Sequence, residues 1–150
     1  MRDIKFRGKK KHKRYDYEQK KYFNDWLIGN LHINGDICVI YGEDTPTQGK
    51  FVDIETVGQY IGLKDKNGVE IYEGDIVYRE YCNGGLCTEQ TYEVKYVDYR
   101  IQFVEINGND QREIFGFREW NEKENKRIEY VNDCIPLKVI GNIHKSKLQD

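Results

Sequence analysis

Four carboxylates crowd one short stretch of the chain: Asp65, Glu70, Glu73 and Asp75. Two carboxylates held near each other can divide the roles of general acid and general base. Oxygen ligands at this density can also hold a divalent cation. The same residues have a conformational use. Asp65 can bond its own backbone in an Asx-turn, and Glu73-Gly74-Asp75 can close a tight turn. Asn67-Gly68 lies between two apolar runs, and that dipeptide supplies the positive φ angles a hairpin turn needs. Turn chemistry is therefore the favoured reading of Asp65, Asn67, Gly68, Glu73, Gly74 and Asp75, while Gly62 and Leu63 sit on the strand that leads into the turn, where a glycine allows a bulge or close packing. The sequence holds no HExxH, no phosphate loop and no Ser/His/Asp order. No catalytic residue, metal ligand or cofactor is expected, and the chain is not read as an enzyme. A small hydrolase or metal-dependent enzyme built on the carboxylates near Asp75 is the weakest of three functional readings.

Cysteine chemistry is the next candidate. Cys82 and Cys87 flank Asn83-Gly84-Gly85-Leu86, a ligand-like spacing, whereas Cys38 and Cys134 stand alone. A structural zinc site needs two more ligands at similarly close spacing, and His12, His32 and His144 are scattered. The expectation is reduced, partly buried cysteines without metal, with a local Cys82–Cys87 link as the alternative.

Charge is placed unevenly. The net charge is −2, yet residues 1–21 carry ten Lys or Arg against three acids. Lys9, Lys10, Lys11, Lys13 and Arg14 form the densest part, a candidate arm for phosphate contacts without sequence preference. The competing reading is a solvated loop resting on the acidic remainder of its own or a neighbouring subunit. Tyrosines offer a further surface. Tyr60, Tyr72, Tyr78, Tyr92, Tyr96 and Tyr99, beside Arg79, Lys95 and Arg100, could stack single-stranded bases. Burial in a core or subunit interface is the preferred alternative.

These residues must be positioned by strands. Arg2–Arg7 alternates apolar and charged residues, and Gly8–Glu18 has no periodicity. Trp26–Ile33 and Ile37–Tyr41 read as strands around Asn34-Gly35-Asp36. Tyr60–Leu63 and Val69–Tyr72 pair across Lys66-Asn67-Gly68. Asp75–Tyr81, Thr91–Val97, Arg100–Ile106 and Leu137–His144 follow, with a glycine-rich turn expected over Cys82–Thr88. Glu122–Arg127 fits a short helix or a charged loop. Short strands with turn residues at such intervals describe a small barrel or sandwich. The chain has 150 residues, 38% hydrophobic and 33% charged, with 12 Tyr, 6 Phe and 2 Trp. One unit over 1–150 is expected, with a division into 1–50 and 51–150 allowed by the composition shift at Gly42–Lys50. No stretch has the length and apolarity of a membrane span, and no signal-peptide core follows the basic N-terminus, so no membrane partner is expected.

The run Gly58-Gln59-Tyr60 through Gly62-Leu63-Lys64-Asp65-Lys66-Asn67-Gly68 to Ile71-Tyr72-Glu73-Gly74-Asp75-Ile76-Val77 resembles the YopX family of phage and prophage proteins. Ile4-Lys5-Phe6-Arg7-Gly8 resembles that family's opening, and Val139-Ile140-Gly141-Asn142-Ile143 its close. The resemblance implies a mainly β protein with a small Src-homology-type roll in the C-terminal part, and the composition shift at Gly42–Lys50 allows an N-terminal hairpin lobe beside it. It also implies a phage or prophage origin and a cytoplasmic setting, and no established activity. The expected function is that of a non-enzymatic accessory protein, self-associating or partner-binding. A sequence-nonspecific nucleic-acid-binding module is the alternative. Self-association is expected because Tyr92, Val94, Tyr96, Ile101, Phe103, Phe115, Phe117 and Trp120 exceed what a small interior readily holds.

Overall fold

The computed structural model describes residues 3–11, 15–19, 21–22, 26–43, 46–97, 100–106, 113–115, 120–121, 126–127 and 135–144. Lys13, Arg14, Tyr99, Phe117 and Cys134 lie outside them. The chain is mainly β and divides into two compact units, Met1–Tyr60 and Ile61–Asp150. The Gly42–Lys50 loop falls inside the first.

The first unit is built from β1 (Phe6–Lys9), β2 (Tyr15–Asp16), β3 (Lys21–Tyr22), β4 (Trp26–Asn34), β5 (Ile37–Gly42) and β6 (Lys50–Phe51), with a 3-10 turn at Ile54–Thr56. Its sheet runs in the order β6-β5-β4-β1, and the start of β7 (Gly58–Lys64) pairs with β1 through Phe6↔Gln59 and Arg7↔Gly58. The hairpin β4–β5 turns at Asn34-Gly35-Asp36, where Gly35 has φ 60°. Its inward face carries Cys38 and Ile40, which cluster with Val52; Phe6, Leu27, Leu31 and Val57 pack against them. Strand β1 begins later than the alternation suggests and runs further, through Lys9, and Lys10 bridges to Val52. Gly8 explains the extension. Ile40 Cδ1 and Val52 come within 3.2 Å of where its side chain would begin, so the glycine lets this segment lie close on the core, where a larger residue would press on both side chains. The expectation of irregular chain from Gly8 to Glu18 fails for a second reason, since β2 falls within it and pairs with β3.

The second unit holds the rest of β7, β8 (Glu70–Tyr72), β9 (Asp75–Asn83), β10 (Leu86–Val97), β11 (Arg100–Glu105), β12 (Glu113–Phe115), β13 (Trp120–Asn121), β14 (Lys126–Arg127) and β15 (Lys138–Asn142). Strands β12-β11-β10-β9-β15 form an antiparallel sheet in that order. Strands β7 and β8 are hydrogen-bonded neighbours, as the Asn67-Gly68 turn requires. Ile61 and Ile71 of this hairpin meet Val77, Tyr92, Val94, Phe103, Ile135 and Leu137 in one core. Strand β14 pairs with β13, so Lys126–Arg127 is extended rather than helical.

Two expectations need correction here. The turn between β9 and β10 is only Gly84-Gly85, both at positive φ (59° and 85°), so the strands extend to Asn83 and from Leu86. Two consecutive glycines satisfy the mirror-image turn whose twist suits a hairpin. The second correction concerns the aromatics. Tyr92, Val94 and Phe103, counted as surplus to a small interior, are buried in the core, whereas Tyr96 of the same set is exposed. Tyr60 and Tyr72 are buried as well, in line with the preferred reading of those tyrosines. Among the described residues, no helix is long and apolar enough to cross a membrane.

Candidate functional site

Asp65 and Asp75 are each 1% exposed, and their hydrogen bonds define what they do. One oxygen of Asp65 accepts from the backbone N–H groups of Asn67 (2.8 Å) and Val69 (2.9 Å); the other accepts from Val139 N–H (3.0 Å). The first of these is an Asx-turn, and together they tie β15 to the β7–β8 turn. The backbone of the turn adds Asp65 N–H to Val69 O (2.7 Å), Lys66 N–H to Leu137 O (2.8 Å) and Ile135 N–H to Lys64 O (2.8 Å). Asp75 does the same one turn later. It accepts from Tyr72 N–H (2.9 Å) and from the Asn142 side-chain amide (3.1 Å). Asn142 Oδ1 in turn accepts from His144 N–H (2.9 Å). A buried carboxylate is tolerated when N–H donors replace its water.

The other motif residues sit around these anchors. Gly62, Gly68 and Gly74 have φ of 83°, 81° and 87°. Leu63 packs against the core cluster. Asn67 is exposed, and Glu73 is half-buried. Glu70 accepts a hydrogen bond from the Tyr72 hydroxyl at 2.7 Å. The carboxylates thus support two successive turns and the closing strand.

The basic residues are less available than the sequence suggests. Lys9 is 3% exposed, its ammonium lies 5.0 Å from the Trp26 ring centre, and its N–H donates to Thr56 Oγ1. Arg7 stacks on the same ring at 4.5 Å. Both contacts are cation–π pairs that fix the cations against the sheet. The expectation of Lys9 as a solvent-facing phosphate contact is therefore corrected. Lys11 is exposed, with its N–H bonded to Phe51 O. Arg79, expected beside stacked bases, donates from Nε to Gln90 Oε1 (3.1 Å), which also accepts from the buried Tyr92 hydroxyl (2.8 Å). Burial raises the Tyr92 pKa above its ordinary value.

Sequence reasoning missed the outer face of the N-terminal sheet. Register pairs Arg7 with Ile28, His32 with Val39, Asn34 with Ile37, and Val39 with Phe51. Directly paired residues project from the same face, so Ile28, His32, Ile37, Val39 and Phe51 share the side opposite Cys38 and Ile40. Ile37 and Phe51 are each 52% exposed there, and Ile28 39%. The signal was present as an almost continuous apolar run, Ile37-Cys38-Val39-Ile40-Tyr41, which marks a strand that is apolar on both faces.

Sequence reasoning also misread the thiols. Cys82 and Cys87 form a disulfide, with Cα atoms 4.0 Å apart. The two-glycine turn is the cause. It closes on the pair Asn83↔Leu86, so Cys82↔Cys87 is the next pair, of the kind not joined by hydrogen bonds, whose side chains lie closest. Cys38 is a free, buried thiol, and burial raises its pKa.

The family model described as YopX protein matches residues 5–148. Comparison with curated protein sequences finds no match. The chain is similar to the crystal structure of protein EF1440 from Enterococcus faecalis, with 22% identity over 98% of this chain and 97% of that chain and a TM-score of 0.40.

Proposed function

The chain belongs to the YopX family, and from that premise we propose that it is a non-enzymatic accessory module that acts by binding a second copy of itself. The observation carrying this reading is the role of Asp65 and Asp75. Of the four carboxylates that the sequence offers for acid–base work, these two are buried and accept backbone or amide N–H groups. The motif therefore serves the fold, and the surface is left to supply the function.

The surface patch that suits this role is the outer face of the N-terminal sheet. Ile28, Ile37 and Phe51 expose apolar area there beside His32. Ile37 and Phe51 flank Val39, two residues along β5 and directly across from it on β6; exposed apolar surface marks interfaces, and closed homo-oligomers are the commonest use of it. As part of this proposal the protein works in a phage or prophage setting in the bacterial cytoplasm, a reading supported by its family membership.

Sedimentation velocity at low micromolar concentration tests the proposal. The expected result is a concentration-dependent dimer or higher closed oligomer, which Phe51→Glu and Ile37→Lys shift towards monomer. Both positions are half-exposed, so the variants should remain folded. A strict monomer at all concentrations would overturn the reading.

A further inference from the structure

We propose that the tip of the β9–β10 hairpin, once reduced, binds a thiophilic divalent cation such as Zn2+ through Cys82, Cys87 and Glu80. This is independent of self-association. The strand register sets the donors. Cys82 pairs with Cys87 and Glu80 with Glu89, and residues two apart on a strand share a face. One face of the hairpin thus presents two sulfurs and two carboxylates. The donor atoms of Glu80, Cys82 and Cys87 all lie within 4.8 Å of one another, and all three residues are exposed. Glu89 is engaged with the Tyr78 hydroxyl, so it stands beside the site as a neighbouring carboxylate.

The donor set selects the metal. Two thiolates favour zinc-like cations over magnesium and calcium, which prefer oxygen alone. Tetrahedral zinc at about 2.3 Å from each sulfur places the two sulfurs about 3.8 Å apart. Rotation about the Cα–Cβ bonds reaches that spacing from the disulfide without moving the strands. Three protein ligands leave the fourth tetrahedral position to water or to a ligand from elsewhere.

Oxidation state controls the site. A disulfide offers no thiolate. A dithiol reductant cleaves the S–S bond, supplying two electrons and two protons and becoming a cyclic disulfide itself; Cys82 and Cys87 become thiols. Binding of the cation then displaces both thiol protons to solvent. The fold does not depend on the crosslink, because only four residues lie between the two cysteines and Gly84-Gly85 already closes the hairpin. Chain-entropy stabilisation is smallest for loops this short.

Cobalt is the probe. The full-length protein is reduced, freed of reductant under anaerobic conditions and titrated with Co2+. The expected result is a thiolate-to-cobalt charge-transfer band that saturates at one Co2+ per chain and disappears on addition of Zn2+. Oxidised protein should give no band. The Cys82→Ser/Cys87→Ser double variant should give none either, with an unchanged far-ultraviolet spectrum. Glu80→Gln keeps both sulfurs and should weaken binding by at least about tenfold, since even outer-shell partners are worth that much. No band in reduced protein, an equal band in oxidised protein or in the double variant, or unchanged affinity in Glu80→Gln would each overturn the proposal.

Discussion

At the scale of single residues, two kinds of group carry testable consequences. Asp65 receives three backbone N–H donors from within its own turn and from β15. Truncation to Ala would leave three donors without the buried carboxylate that accepts from them. Each unsatisfied buried donor costs about 1–3 kcal/mol, so Asp65→Ala should lose about 3 kcal/mol or more in urea unfolding. Asp65→Asn should lose less, because its amide oxygen still accepts from the turn while its NH2 group faces the Val139 N–H. Equal losses for the two variants would contradict this division of the carboxylate. Cys38 makes the second case. Its raised pKa means less thiolate at any given pH, and burial also blocks the reagent. Reduced native protein treated with iodoacetamide near neutral pH should therefore label at Cys82 and Cys87. Cys38 should label only after denaturation, as peptide mass analysis would show.

At the scale of elements, the sequence was readable wherever turn chemistry and alternation agreed. Asn34-Gly35-Asp36 and Asn67-Gly68 both fall at hairpin turns, with glycine at positive φ. Val139 to Asn142 returns as an edge strand, although the register shifts between Val139 and Gly141, a bulge no local signal announces. What escaped was long-range. Nothing local says that Gly8 lies on Ile40 and Val52, or that Tyr92 and Phe103 face a shared core, because those contacts depend on which strands become neighbours. The cysteine pair is the opposite case: a Gly-Gly turn flanked symmetrically by Asn83-Leu86 and then by Cys82-Cys87 carries the cross-strand contact locally, yet the reading favoured free thiols and held the link only as the alternative. Glycines separate two mechanisms that mutation can distinguish. A side chain at Gly29 would begin 1.9 Å from the Tyr41 carbonyl oxygen, a backbone atom that cannot yield without parting β4 from β5. At Gly35 nothing lies within 4 Å and only the positive φ matters. Thermal unfolding should therefore show a severe loss for Gly29→Ala, at the level of about 3 kcal/mol or more expected of strong overpacking. Gly35→Asn should cost only a few tenths to about 1 kcal/mol, since Asn tolerates that backbone region.

At the scale of the whole molecule, two physical forces compete to explain any self-association, and salt separates them. The first 21 residues are basic and the chain as a whole is acidic, so subunits could meet through complementary charge. The apolar face formed by Ile28, Ile37 and Phe51 offers the other route. Placement of the cations weighs against charge. Arg7 and Lys9 lie over the Trp26 ring, and Lys9 is buried, so part of the basic end is already committed within its own sheet. The same placement reduces the number of cations free to meet phosphates. A protein that neutralises Z phosphates shows a slope of about −0.9Z in log affinity against log salt on duplex DNA. The expected slope here is shallow, and DNA binding at about 0.15 M salt should be undetectable in a filter or anisotropy assay. Association through the apolar face behaves differently, because screening acts on charges over about 8 Å at that ionic strength and leaves hydrophobic burial intact. Sedimentation velocity across a salt series should therefore show an oligomer that persists, or strengthens, as salt rises. An oligomer that dissolves at high salt, together with steeply salt-dependent DNA binding, would shift the interface from the Ile37–Phe51 face to the basic end of the chain.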